Sequence, residues 1–207
     1  MSNDAVYAAG LLNWALDPAT QPPEIQTFLR AELAMLREVV TAGMRVVDIG
    51  CGTGRHLLAL KDRLGLGVGV DYERSYIADA SRRTGLGPLH FVIADATAIP
   101  FRAGFDVALC LTNTWGTMSD KEAVLREMRR VAPKAQSRLL SVYSEHSVPA
   151  RREWYRRQGH AVRDETAEYL ESAGGFRSEH FSEARLRDLV GDCIIQPLTP
   201  VAYAVTF

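Results

Sequence analysis

Lysine is nearly absent from this chain: three of its 207 residues, against 21 arginines. With acidic residues in balance the formal charge is -1, so the surplus of positive charge that lets a protein grip a phosphate backbone is missing. The arginine excess could serve bidentate anion recognition, but a bias in genome composition is the plainer explanation. Cysteine is scarce as well. Cys51, Cys110 and Cys193 are an odd number at wide spacing with no CxxC pair. That suits free thiols in a reducing, cytoplasmic compartment, not a disulfide framework. The histidines at 56, 90, 146, 160 and 180 show no HxxxH spacing, so no metal is expected. No apolar run approaches the roughly 18–20 residues of a membrane span. No basic segment leads into an apolar one, so no secretory signal is expected. Low-complexity tails and repeats at solenoid spacing are also missing. What is present is ordinary for one globular domain with its own core: 47% hydrophobic and 24% charged residues.

The apolar pattern sets the organisation. Residues 4–17 form a mostly apolar stretch with Tyr7 and Trp14, stopped at Asp17-Pro18 because proline disfavours helix in the residue before it. Pro22-Pro23 suits a helix start. Ile25, Leu29, Leu33, Leu36 and Val40 then recur every three or four residues up to Gly43, which predicts an amphipathic helix. Thereafter short β-rich runs (44–49, 65–71, 89–94, 105–111, 137–143) alternate with helix stripes. One of these helices opens on Ser119 with Glu122 three residues on, the spacing of a capping box. Buried-type strands alternating with helices predict a parallel sheet covered on both faces. The last third is less regular. Residues 149–158 read as a helix with Arg151, Arg152, Arg156 and Arg157 spread around it, a solvated face. A hairpin is expected around Gly174-Gly175, and two strands close the chain at 193–198 and 201–206. The expected fold is an α/β, doubly wound, mostly parallel seven-stranded sheet with its last strand antiparallel. Residues 1–43 form a helical cap or lid, 44–207 the main domain, and a hairpin insertion lies near 165–181.

The strongest chemical signal is VVDIGCGTGR at 46–55. Asp48, Gly50, Gly52 and Gly54 follow a strand and precede a helix. A backbone turning that sharply needs residues tolerant of positive φ, and a ligand lying on it needs the missing Cβ. Asp71, at the end of the next strand, stands where nucleotide-binding α/β units place an acid for the ribose hydroxyls. Together with IADATAIPF and FDVALCLTNTWG, these residues resemble the class I S-adenosylmethionine-dependent methyltransferases, and the likeness extends over about 43–143.

The resemblance implies S-adenosylmethionine as cofactor and a Rossmann-like fold. Asp48 would face the methionine amino end, and Gly50, Gly52 and Gly54 would line the methionine moiety. Asp71 would hold the ribose, Tyr72 would pack on the adenine, and Asp95 with Ala96 would lie near the adenine amino group. Asn113 would stand where cofactor and acceptor meet. Ligands of open α/β sheets bind beyond the carboxyl ends of the strands. On that geometry Trp115, Tyr143, Glu145 and His146 are candidates to border the methyl group, with Glu145 and His146 the best bases by chemistry. For Trp115 a core anchor weighs equally against a substrate-facing ring. Tyr7 and Trp14 are lid candidates that would exclude water.

The function expected is methyl transfer to a small molecule. An amine or amino-acid-like acceptor is suggested by the likeness of NTWG to the corresponding loop of some small-molecule N-methyltransferases. Two alternatives keep the cofactor. One is cyclisation or aminopropyl transfer with release of 5′-methylthioadenosine, and the other is RNA methylation. A non-catalytic module that binds the cofactor is a further one. Near-neutral charge argues against nucleic acid, and nothing in the sequence indicates the oligomeric state.

Overall fold

The structure, a computed structural model, describes residues 3, 18–85, 87–134 and 136–207. Its centre is a seven-stranded sheet. Strand β1 (Met44–Ile49) is followed by helix α2 (Arg55–Leu60), β2 (Leu64–Asp71), α3 (Arg74–Thr84) and β3 (Leu89–Ile93). Then come β4 (Val107–Cys110), α4 (Lys121–Val131) and β5 (Arg138–Tyr143). Helix α1 (Pro23–Val39) precedes them. After β5 the chain makes α5 (Val148–Arg157) and three short strands: β6 (Val162–Glu165), β7 (Tyr169–Ser172) and β8 (Arg177–Glu179). Helix α6 (Glu183–Val190) leads to β9 (Ile194–Thr199) and β10 (Ala202–Thr206). The sheet order is β3-β2-β1-β4-β5-β10-β9. Strands β1 to β5 pair in parallel, and β10 lies antiparallel to both β5 and β9. The order reverses between β1 and β4, which opens a crevice at their carboxyl ends.

Alternate side chains of each central strand serve opposite faces. Val47, Ile49, Ala108, Cys110, Leu140 and Val142 pack with Val124, Leu125 and Met128 of α4 and with Leu186 of α6. Val46, Val107, Leu109 and Leu139 pack with Leu36 and Val40 at the end of α1 and with Leu57 and Leu60 of α2. Covered on both faces, the strands read as continuous apolar runs. Helix α1 is thus a layer of the sheet core. Its buried stripe is Ile25, Phe28, Leu29 and Leu36, with Glu32 inside it.

Two local expectations are corrected. The cap of α4 is Asp120, whose Oδ1 accepts from the Ala123 amide at 2.8 Å, because the helix starts one residue later than a Ser119 box requires. Around Gly174-Gly175 there is a hairpin, β7 with β8, but β6 joins it to make a three-stranded antiparallel sheet. Trp154 and Tyr155 of α5 pack on this small sheet through Leu170 and Phe176. Among the described residues no helix is long and apolar enough to cross a membrane.

Candidate active site

The turn after β1 is built from glycines with positive φ: Gly50 at 69°, Gly52 at 53° and Gly54 at 77°. Space matters as much as dihedral angle. A Cβ on Gly50 would clash with Thr114 Cγ2, and one on Gly54 would meet the Phe91 ring at 2.5 Å. Asp71 closes the turn from the side. Its Oδ2 accepts from the Gly52 amide at 2.8 Å and its Oδ1 from the Glu73 amide at 2.9 Å. Burial raises the Asp71 carboxyl above its ordinary range, and the two amides oppose that. Asp48, at the end of β1, is 1% exposed. Its Oδ2 accepts no hydrogen bond from the protein, and the His56 ring nitrogen Nδ1 lies 3.6 Å away.

Two cavities meet at Gly50, Gly52, Thr114 and Thr117. The smaller, about 120 Å³, is lined by Asp71, Tyr72, Ala94, Ala96 and Met118. The larger, about 150 Å³, is bounded by Ile25 and Leu29 of α1, by Arg55 and His56, and by Leu111, Thr112 and Asn113 after β4. Its far wall is Tyr143, Trp154, Tyr155, Phe176 and Ser178. Apart from Tyr143, this wall is made by α5 and the small sheet and has no counterpart in the sequence expectations.

The structure brings Gly50, Gly52, Asp71, Tyr72, Ala96, Asn113 and Tyr143 onto these cavities. Several other candidates lie elsewhere. The Asp95 side chain is exposed and accepts from the Thr97 amide and hydroxyl at 2.8 and 2.7 Å, a local turn. Trp115 is fully buried in the core, stacked on Phe181 at 5.2 Å, with its indole N–H given to the Lys121 carbonyl. It faces neither cavity, so the core anchor holds and the substrate-facing ring does not. Glu145 accepts from the Tyr203 hydroxyl at 3.4 Å, His146 is exposed, and neither lines a cavity. Tyr7 and Trp14 lie outside the described residues. Asn3 is described: its amide donates to the Thr117 and Arg177 carbonyls at 2.7 Å, at the edge of the smaller cavity.

Asn113 is a strut as well as a lining residue. Its Oδ1 accepts from the Tyr143 amide, and its Nδ2 donates to Ser178 Oγ and the Glu179 carbonyl, each at 3.0 Å. It therefore ties the β4 loop to β5 and β8. Thr112 and Asn113 both have left-handed backbones, φ 52° and 59°, a conformation that costs about 1–2 kcal/mol in a residue with a Cβ.

The loop is held by a network the sequence did not disclose. Glu32, fully buried in α1, accepts from the Thr112 amide at 2.8 Å, from the Thr112 hydroxyl at 2.8 Å and from Ser141 Oγ. It pairs with His56 Nε2 at 2.7 Å and with Arg55 at 3.2 Å. Burial by itself would raise the Glu32 carboxyl, but the charges of His56 and Arg55 bring it down to about 2. Burial would lower His56, but Glu32 and Asp48 on its two nitrogens raise it to about 9. The signal lay in the spacing: Glu32 stands four residues after Phe28 and four before Leu36, a charge on the buried stripe.

Comparison with known proteins agrees with this geometry. Residues 46–134 match the methyltransferase domain family. A Xenopus tropicalis protein, tRNA (carboxymethyluridine(34)-5-O)-methyltransferase alkbh8, is 30% identical over 105 residues, 49% of this chain and 16% of that one. O-methyltransferase cnsE of Penicillium expansum is 26% identical over 113 residues, 52% of this chain and 41% of that one. The chain thus spans less than half the length of these curated relatives. The fold of a DhpI–SAH complex superposes with a TM-score of 0.67 at 20% identity, covering 98% of this chain and 92% of the other. With the glycine turn, the acid at the end of β2 and the sheet order all in place, residues 46–134 carry a methyltransferase domain, and the chain has the fold of the class I S-adenosylmethionine-dependent methyltransferases.

Proposed function

We propose that this protein transfers the methyl group of S-adenosylmethionine to a small acceptor held in the larger cavity. One observation supports this most: the two cavities join at the glycine turn, one carrying Asp71 and the other walled by aromatic side chains. The residues present fit the cofactor. Asp71 and Tyr72 would hold its ribose and adenine, and Asp48, which lines neither cavity but whose Oδ2 accepts no hydrogen bond from the protein, would face its charged amino end. When bound, the cofactor supplies a methyl group on a positively charged sulfur. The chain's own contribution is to fix the acceptor beside it and to exclude water. Tyr143, Trp154 and Phe176 provide the apolar grip, and Asn113 fixes the loop between the two compartments. A cavity of this size suits a small molecule, and a formal charge of -1 does not favour an RNA substrate.

The test is product analysis. Purified protein with S-adenosylmethionine and a pool of small metabolites is expected to yield S-adenosylhomocysteine and a methylated acceptor by mass spectrometry. Release of 5′-methylthioadenosine instead, or methyl transfer to a tRNA pool alone, would overturn the reading. Because His146 is exposed and lies off both cavities, His146→Ala is expected to leave turnover within about twofold of wild type. A loss of tenfold or more would return His146 to the site as a base.

A further inference from the structure

Arg151 of α5 is 0% exposed. Its guanidinium donates to the Ser178 carbonyl at 2.7 Å and to Ser147 Oγ at 3.4 Å, and it meets His180 Nδ1 at 3.3 Å. Its Nε has no partner. Among the described residues no carboxylate pairs with it. The other arginines of this helix are matched: Arg152 by Glu165, and Arg156 and Arg157 by Glu153. The expectation of a solvated basic helix therefore fails at Arg151 alone. Taking a cation out of water costs several kcal/mol, and neutral hydrogen-bond partners offset only part of that, so an anion bound nearby would be stabilised by Arg151.

The surroundings say where that anion would sit. Arg151 lies directly behind the wall of the larger cavity. Its guanidinium carbon is 4.7 Å from the centre of the Tyr143 ring, and burial raises the neighbouring Tyr155 phenol while the charge of Arg151 opposes that. Tyr143, Tyr155 and Ser178 all line the cavity. The described lining contains no carboxylate, and its two cations, Arg55 and His56, are already matched by Glu32 and Asp48. Arg151 is the surplus charge.

We infer that the methyl acceptor is a small carboxylate on an apolar body, its charge balanced by Arg151 and its oxygen hydrogen-bonded by Tyr155. This rests on the methyl-transfer reading above. Tyr155 would touch the acceptor; Arg151 is a positioning residue that acts through it, since a positive charge beside a phenol makes it a stronger donor. The chemistry needs no base. A lone pair of the ionised carboxylate forms the new carbon–oxygen bond, the methyl–sulfur bond breaks with its pair left on sulfur, and no proton is released. That agrees with a lining in which His56 is held protonated and burial pushes the Tyr143 and Tyr155 phenols up. An amine acceptor would arrive as an ammonium beside a buried guanidinium and would need its proton removed.

The experiment is calorimetry on the protein loaded with S-adenosylhomocysteine. The titrants are butyrate, benzoate, phenylacetate and indole-3-acetate, each beside its amide and the amine of the same body. At least one acid is expected to bind tenfold or more tighter than its amide and its amine. Tyr155→Phe and Arg151→Met are expected to reduce that preference at least fivefold, with Arg151→Lys restoring part of it. If Arg151→Met fails to fold, Tyr155→Phe and Arg151→Lys decide. No binding by any acid, amides or amines binding as well, or a preference unchanged in the variants would each overturn the proposal. So would a loss of S-adenosylhomocysteine affinity in place of acid affinity, which would assign Arg151 to the cofactor's own carboxylate. If the unsubstituted protein binds neither S-adenosylmethionine nor S-adenosylhomocysteine, it is the methyl-transfer reading that fails.

Discussion

Glu32→Gln is expected to destabilise the protein by about 3–5 kcal/mol, the range for removing one partner of a buried ion pair. The substitution keeps the shape and removes the charge. His56, 6% exposed, is left with Asp48 at 3.6 Å as its carboxylate, and Arg55 loses its partner. One of the two oxygens that hold the left-handed Thr112–Asn113 turn becomes an amide donor, so either the Thr112 amide or its hydroxyl loses Glu32 as acceptor. At about 2–4 °C per kcal/mol for a chain of this size, the melting temperature should fall by roughly 6–20 °C. The pH dependence has a definite sign. Glu32 is lowered from 4.5 to about 2 on folding, so its contribution is complete above pH 4.5 and is lost as the pH falls through 2. His56 is raised from 6.5 to about 9, so its contribution is complete below pH 6.5 and is lost as the pH rises through 9. The gap between wild type and Glu32→Gln should be widest between pH 4.5 and 6.5 and should narrow above pH 9. Urea unfolding at pH 6 and at about pH 9.5 measures it. A gap below about 1 kcal/mol at pH 6 would show that the network contributes little net stability.

Much of the fold was legible because its signals are local. Strand β1 was bounded by Gly43 and Gly50, and it places Val46 on one face and Val47 and Ile49 on the other, as a strand covered on both faces requires. The glycine turn and Asp71 could be read for the same reason: positive φ and close approach leave few residue choices. The far wall of the larger cavity was not legible. Strand β6 reads VRDE and is largely exposed, so no apolar alternation marks it, and it exists only because β7 pairs with it. Arg151 looks like its three neighbours on the helix, yet it alone turns inward, under a sheet formed later in the chain. Glu32 needed partners from residues 55, 56, 112 and 141, a convergence that no window of sequence contains. Trp115 shows a different limit. Its position after β4 suits either role, and only the stack with Phe181 decides between them.

Asp71→Ala is expected to weaken cofactor binding by about 100-fold or more. Hydrogen bonds to a charged group contribute about 1.5–3 kcal/mol each, and two to the ribose hydroxyls amount to at least about 3 kcal/mol, or two powers of ten in affinity. The structure adds a second route to the same loss. Asp71 is the acceptor for the Gly52 and Glu73 amides, so without it the glycine turn loses the bond that fixes its middle residue. The two routes separate experimentally. Titration of S-adenosylhomocysteine gives the total loss. The same titration with an analogue lacking the ribose hydroxyls gives the share due to the turn, since that ligand cannot use Asp71 directly. The analogue is expected to bind the wild type more weakly than S-adenosylhomocysteine and to lose less than about tenfold in the variant. If Asp71→Ala leaves S-adenosylhomocysteine affinity within about threefold of wild type, the carboxylate holds the turn and not the ribose. If the analogue loses as much as the intact ligand, the whole effect runs through Gly52, and the cofactor's hydroxyls find their partner elsewhere in the smaller cavity.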